Sequence, residues 1–494
     1  MKRLETISEN KDSQAAETLS AAHVEKSLSD ATRSEKLSTK TQGAHPAQEG
    51  ILPIKAFVAL VAMTHGLCEI AGMAGFMYAK ETLLIAPQTM QLLAGIVSLP
   101  WSIKPIFGYL VDKMISKTGR TRPIFLVTAA LRIGGYSLLA HASPGVYLFY
   151  TIGLFNSIFY LFENIIAEYI LVVASKRENE ENGTTNSNQL PIYFGFRAFG
   201  SLIGGFFGGR IVKYYGNSPA FFAASLLPGL VLVSVALYKE PEREQRAERT
   251  FRDELRAMGQ LLGGNKVLQL IIFVSLINMQ PNFDSLITFY FTDHLKFTTE
   301  DLANFATFGT SCYILGLVAY SYYFKKLDPK KFYIGTNFLL WLINLSFMMV
   351  VYGVTERMGI DNRYFCLFNQ GFFSFVAELN FMPLLAIWCN LCPPSLEATS
   401  ITLFTGLINL SSNLSNYLGA LFMYLFSLKS GHYEQIGKAV IIQNIYLFVL
   451  IVTITFVPFP VPPQAKKENQ ESPDGPAENA NARREDEKKI ELVD

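Results

Sequence analysis

Charge is scarce in this chain. Of 494 residues, 17% are Asp, Glu, Lys or Arg and 50% are hydrophobic, whereas a soluble domain carries about 25% charged residues. That shortage excludes an ordinary water-soluble protein of this length. Cysteine is scarcer still: Cys68, Cys312, Cys366, Cys389 and Cys392, all within or beside apolar runs. An odd number with no extramembrane pair excludes a disulfide framework. Cys389 and Cys392 form one CxxC, which lacks the second pair or histidines a zinc site needs, so no metal and no cofactor is expected. There is no HExxH, GxSxG or phosphate-binding loop, and no His/Asp cluster near an interface, so an enzyme is not expected. The first 50 residues lack an apolar h-region, which excludes a secretory signal, and their several acids argue against an organellar transit peptide. The net charge of +1 says nothing about partners, because tails and loops cancel; no nucleic-acid partner is expected.

What the chain has in abundance is long apolar runs, about twelve of them, at 54–78, 89–111, 123–141, 146–174, 190–212, 219–238, 267–291, 302–324, 332–354, 363–391, 398–427 and 439–458. A helix needs roughly 20 apolar residues to cross a bilayer. Lipid leaves no partner for a free backbone N–H or C=O, so such runs must be helical. The expectation is an all-α membrane protein with twelve transmembrane helices in two pseudo-symmetric six-helix bundles. Its parts are a disordered tail (1–50), an N-terminal bundle (51–238), a charged linker with an amphipathic helix (239–266), a C-terminal bundle (267–460) and a second disordered tail (461–494). Loops 112–122, 175–189, 239–266, 325–331 and 392–397 hold most of the loop Lys and Arg, which places both tails in the cytoplasm. That orientation puts the Asn182-Gly-Thr184 glycosylation pattern on the wrong side.

Ionisable side chains in lipid-spanning segments mark function. Glu163 in the fourth run and Glu378 in the tenth stand at matching places, as do Glu69 in the first and Asp284 in the seventh. A carboxylate held away from water takes up a proton more readily, so Glu69, Glu163, Glu168 and Glu378 are candidates for proton coupling. His65, four residues before Glu69, forms either a proton relay with it or plain packing. Lys104 lies between prolines in the second run. It suits an anionic substrate, an acidic partner, or snorkelling to the interface. Arg197 suits a substrate carboxylate or an ion pair with Glu163 or Glu168. Pro281 opens the seventh helix beside Asn278, Gln280, Asn282 and Asp284. A broken helix with polar side chains is where transporters place binding sites; its alternative is a solvated kink. Asn409, Asn413 and Asn416 share a face that either lines a cavity or bonds a neighbouring helix. Gly200, Gly204 and Gly208 recur every four residues, a stripe that lets two helices touch backbones.

The stretch GYLVDKMISKTGRTRP resembles the loop between helices two and three of the major facilitator superfamily through Gly108, Leu110, Asp112, Lys113, Gly119, Arg120 and Arg122, with three or four residues more between Asp112 and Gly119. The resemblance implies that Gly108 permits close helix approach and that Asp112 either caps a helix N-terminus or pairs with an Arg across the bundle interface. Arg120 and Arg122 join them as gating residues, and the glycine stripe, placed by the same likeness at the interface of the bundles, joins them too. PWSIKPIFGYLVD is similar to the signature of the folate–biopterin transporter family through Pro100, Trp101, Lys104, Pro105, Gly108 and Asp112; Gly119, Arg120, Arg122 and Pro123 match loosely, and Thr121 interrupts the expected arginine pair. The resemblance implies transport of a folate, pterin or related amphipathic anion. The expectation is a multi-pass transporter working by alternating access in the plasma membrane or an organellar one, with proton symport resting on the buried carboxylates. Lys104 and Arg197 would then neutralise carboxylates, and Asn278, Asp284, Asn409 and Asn413 would bond the ring. The alternatives are a transporter of another small solute and a non-transporting membrane scaffold of the same fold.

Overall fold

The computed structural model describes residues 52–182, 190–238, 240, 252–253, 256, 259, 265–325, 327–391, 397–428, 431 and 433–456. Both expected tails, nearly all of the linker with its amphipathic helix, Gly183, Thr184, Cys392 and the side chain of Cys389 lie outside the described residues. Between 52 and 456 the described residues belong to one compact unit.

Among the described residues the structure is helical, with a single isolated bridge, Leu52 to Tyr238. Seven helices are long and apolar enough to cross a membrane: Ile54–Thr82, Arg122–His141, Val146–Leu171, Asn217–Leu237, Thr299–Phe324, Pro329–Val351 and Tyr433–Ile454. Pro87–Ser102 and Lys104–Thr118 make an eighth if the pair, bent by 48°, is one span. The bend has a local cause: Pro100 and Pro105 cannot donate to the helix ladder, and Ile103 leaves helical geometry between them. Leu190–Tyr215, Asn265–Asn278, Asn362–Leu391 and Glu397–Leu425 fall in the remaining four apolar runs.

The first and seventh runs are built alike. Each is interrupted near its middle, at Cys68 and between Asn278 and Asp284. Each ends in a widened π turn, Tyr78–Thr82 and Tyr290–His294, followed by a non-glycine residue at positive φ, Leu84 at 53° and Lys296 at 56°. The closing hydrogen bonds repeat as well: Leu83 N donates to Tyr78 O and Leu295 N to Tyr290 O, while Ile85 N donates to Ala79 O and Phe297 N to Phe291 O.

The apolar core is continuous at one end of the helices and divided at the other. One cluster joins both halves of the chain, with Met77, Phe149 and Phe221 beside Phe289, Phe297 and Ile436. At the opposite end, one cluster around Phe57, Phe125 and Tyr238 belongs to the first half and another around Phe273, Tyr333 and Ile454 to the second. The most extensive seams between the halves, among the described residues, are Leu190–Tyr215 against Thr299–Ala319 and Pro87–Ser102 against Glu397–Leu425.

Glycine makes the first seam possible. A β-carbon at Gly209 would collide with Ala303 and lie 2.6 Å from Thr299 O, and one at Gly205 would touch Ala306 and Thr307. The expected stripe faces elsewhere. Gly200, Gly204 and Gly208 lie against the backbone of Met63, Leu67 and Ile70 in the first run. Their close approach builds the N-terminal half, and the adjacent Gly205 and Gly209 meet the C-terminal half. At Gly108 no described atom lies within 4 Å of where a β-carbon would stand, so no close helix approach occurs there.

Candidate functional site

Three groups of polar side chains lie inside the helices. The first is sealed. Glu163 accepts from Arg132 Nη1 at 2.5 Å and lies 2.9 Å from His65 Nε2, and all three side chains are fully buried. His65 Nδ1 lies 3.0 Å from the Tyr193 hydroxyl, which also accepts from Asn164, and Arg132 bonds to Cys68 Sγ. Of the two readings of His65, neither a relay with Glu69 nor plain packing describes its contacts: the helix is interrupted at Cys68 between the two residues, and His65 bonds Glu163 and Tyr193 instead. Glu163 is a fully buried ion-pair partner and lines neither cavity described below. A buried pair of this kind collapses energetically if one partner is removed.

The second group is Lys104 and Glu168, 2.8 Å apart, with Lys104 buried and Glu168 largely so. Of the three readings of Lys104, the acidic partner is the one this conformation displays. Beside it, Asn409 donates to Trp101 O, and Asn413 joins Ser98 and Ser102 at 2.5 Å each. Asn416 accepts from Gln91 at 2.6 Å. Asn409 and Asn413 therefore stitch the seam between Pro87–Ser102 and Glu397–Leu425 and line neither cavity described below.

The third group surrounds two cavities that meet at Gln370. The one between the halves, about 600 Å3, is lined by Glu69 and Arg197 from the first half and by Tyr313, Gln370 and Ser374 from the second. The Arg197 guanidinium lies 5.7 Å from the Tyr160 ring centre and 6.0 Å from that of Trp101. Among the described residues no carboxylate lies within ion-pair distance of it. Tyr160 also faces Arg132 and His65, so one aromatic ring separates the sealed cluster from the cavity cation. Glu378 is buried, with Oε1 lacking a hydrogen-bond partner and Tyr313 as its neighbour.

The other cavity, about 490 Å3, lies within the second half. Asn278, Gln280, Asn282 and Asp284 of the broken seventh helix line it, as do Asn337, Asn344, Asn369 and Asn380 from the ninth and tenth runs. Asn282 caps the restart of the helix, accepting from Asp284 N at 2.7 Å and donating to the Asp284 carboxylate at 3.0 Å.

The loop after the second run holds its own half together. Gly119 closes the helix at φ 67°, the backbone N–H groups of Thr121 and Arg122 bond to Glu240, and Arg122 also donates to Ala236 O. Asp112 and Arg120 are exposed. At the far end, Lys80 pairs with Asp293 at 2.5 Å across the two halves.

Reading the sequence passed over Arg132, Lys80, Asp293 and the amides of the ninth and tenth runs. Arg132 carried the same signal as Lys104, an ionisable group in mid-run. Lys80 and Asp293 were visible only as charges at run ends, and only the paired π turns give them meaning.

The BT1 family model matches residues 65–475. The chain is 22% identical to the folate-biopterin transporter of Synechocystis sp. over 84% of this chain and 83% of that one. It is also 22% identical to folate transporter 2 of Plasmodium falciparum, over 81% and 86%. Its fold is similar to that of the nucleoside transporter NupG (TM-score 0.60, 13% identity, 82% of this chain and 99% of that one) and of a D-xylose-proton symporter (0.59, 12%, 81% and 98%). The matched span and the architecture agree, and this multi-pass membrane chain belongs to the BT1 family of transporters.

Proposed function

We propose that the chain carries a folate, a pterin or a related amphipathic anion across a membrane by alternating access, coupled to protons. The observation that carries this reading is Arg197: a guanidinium on a cavity between the halves, held by aromatic rings, with no carboxylate partner among the described residues. A cation kept in that setting is matched by a carboxylate arriving with the substrate, and a planar guanidinium binds one in two-point fashion. The relatives, a folate-biopterin transporter and a folate transporter, supply the substrate class.

In this reading twelve helices cross the membrane as two bundles of six, with both tails cytoplasmic and the plasma membrane as the setting. The continuous core and the Lys80–Asp293 pair then close the outer side, and the divided core opens toward the cytoplasm. Glu69, on the Arg197 cavity, and Glu378, beside Tyr313, are the proton carriers. Glu163 and Glu168 instead neutralise Arg132 and Lys104. Sliding along the Gly205–Gly209 seam accompanies the exchange of states.

Reconstituted protein should accumulate labelled folate or biopterin when an inward proton gradient is imposed, and Arg197→Ala should abolish accumulation of the anionic solute. Equal uptake by empty and protein-containing vesicles across both solutes would refute the reading.

A further inference from the structure

We infer that the cargo is held in two unlike compartments, its hydrogen-bonding heterocycle in the amide-lined cavity of the C-terminal half and its anionic tail at Arg197. The inference rests on the folate and pterin reading above and adds where each end of the molecule goes and what recognises it.

The amide cavity is unsuited to a carboxylate. Asp284 is its one acidic or basic lining residue among those described, and its charge repels an anion. The other polar lining groups are mostly neutral amides, each able to donate and to accept. Three of them hold buried atoms with no hydrogen-bond partner in the protein: Gln280 Oε1 and Asn337 Oδ1, acceptors, and Asn344 Nδ2, a donor. Buried polar atoms are normally satisfied, and orphans ask for an explanation. A flat heterocycle carrying both N–H and C=O groups on its edges matches a wall of side-chain amides that both donate and accept. An amino-oxo-pyrimidine edge presents two adjacent N–H groups, and the Asp284 carboxylate, exposed on this cavity, can accept both. Phe291, Phe347 and Phe381 add apolar walls against which such a ring packs.

The second compartment has the opposite character. Arg197 carries positive charge there without a carboxylate at ion-pair distance among the described residues. Gln370 belongs to both walls, so the compartments adjoin. Their volumes, about 490 and 600 Å3, each fall in the range of small-molecule sites, roughly 300–1,000 Å3. A molecule with a ring at one end and carboxylates at the other fits this polarity in one direction only. The asymmetry has a packing cause. In the N-terminal half the interior is filled by His65, Arg132 and Glu163, whereas in the C-terminal half shorter amides leave space.

The test separates the two ends. Full-length protein in detergent is titrated with 6-hydroxymethylpterin (ring alone), p-aminobenzoyl-glutamate (tail alone) and folic acid (both), and binding is read by calorimetry. Asp284→Asn and Asn344→Leu should each weaken the ring fragment and folic acid about tenfold or more and leave the tail fragment within about twofold. Arg197→Gln should do the reverse, weakening the tail fragment and folic acid and sparing the ring fragment. Melting of each unliganded variant within a few degrees of the parent certifies folding, and the Arg197→Gln arm decides the matter if a cavity variant fails that check. Loss of ring binding in Arg197→Gln, or equal weakening of both fragments by every variant, would overturn the assignment. If the parent binds folic acid but the fragments do not divide in this way, only this inference falls. If the parent binds none of the three probes, the folate and pterin reading falls with it.

Discussion

Lys80 Nζ lies 2.5 Å from Asp293 Oδ1, so an ion pair joins the π turn that ends the first run to the π turn that ends the seventh. Lys80 also donates to Thr292, and the Tyr433 hydroxyl donates to the other Asp293 oxygen at 2.7 Å. The two turns share backbone geometry yet carry opposite charges at the contact, which makes the pair a fastener between halves.

Breaking that fastener should shift the balance of states. A partly exposed ion pair contributes about 1 kcal/mol, or about fivefold in an equilibrium constant. Lys80→Ala should therefore increase the population open at this end by about fivefold, measured as distances between spin labels placed on the two turns. The exchanged pair Lys80→Asp with Asp293→Lys should restore the parent distribution. If neither single variant moves the distances, the contact does not control the equilibrium.

The sealed cluster predicts a different kind of damage. Arg132→Ala leaves the Glu163 carboxylate buried with only His65 beside it, at a cost of about 3–5 kcal/mol. The variant should lose most of its folded yield in size-exclusion profiles and melt well below the parent. Arg132→Met combined with Glu163→Leu and His65→Phe removes the charges together and should recover much of that loss. Parent-like melting of Arg132→Ala would show that the cluster does not hold the half together.

The two faces of Leu190–Tyr215 should respond in opposite ways. A side chain at Gly200 meets Met63 backbone within the N-terminal half, so Gly200→Val should prevent folding. A side chain at Gly209 meets Ala303 and Thr299 across the seam. Gly209→Val should fold with a normal melting temperature and lose uptake about tenfold, because the halves can no longer close at that point. Normal uptake by Gly209→Val would remove the seam from the transport cycle.

Proton coupling can be tested at the two carboxylates near the cavity between the halves. Glu378→Gln keeps the shape and removes the titration. It should exchange substrate across vesicle membranes at near-parent rates while losing accumulation driven by a proton gradient. Glu69→Gln should behave likewise if it loads the proton from the cavity side. Gradient-driven accumulation surviving in the double variant would assign coupling elsewhere.

Much of the architecture was legible in order along the chain. Apolar runs of bilayer length and the break at Pro281 needed only local physics, because lipid forces backbone groups to bond within their own segment, whereas the matching interruption at Cys68 appeared only in the structure. The roles of polar residues were less legible. Lys104 was readable as a cation in a costly place, but its choice of Glu168 depended on the 48° bend that turns one helix toward another. The asparagine face at 409, 413 and 416 was visible as a stripe, and only packing decided that it bonds Pro87–Ser102. The glycine stripe was read correctly as a close-contact surface and assigned to the wrong partner, since two glycine faces one residue apart serve two neighbours.

The sequence by itself determined that this chain is a bundle of membrane helices of a known transporter type, because hydropathy and a short signature act within single segments. Only the tertiary structure decided which ionisable groups neutralise one another and which are left facing a cavity. That choice depends on helix rotation and bending, which bring residues up to 128 positions apart into contact in the sealed cluster and more than two hundred apart at Lys80 and Asp293.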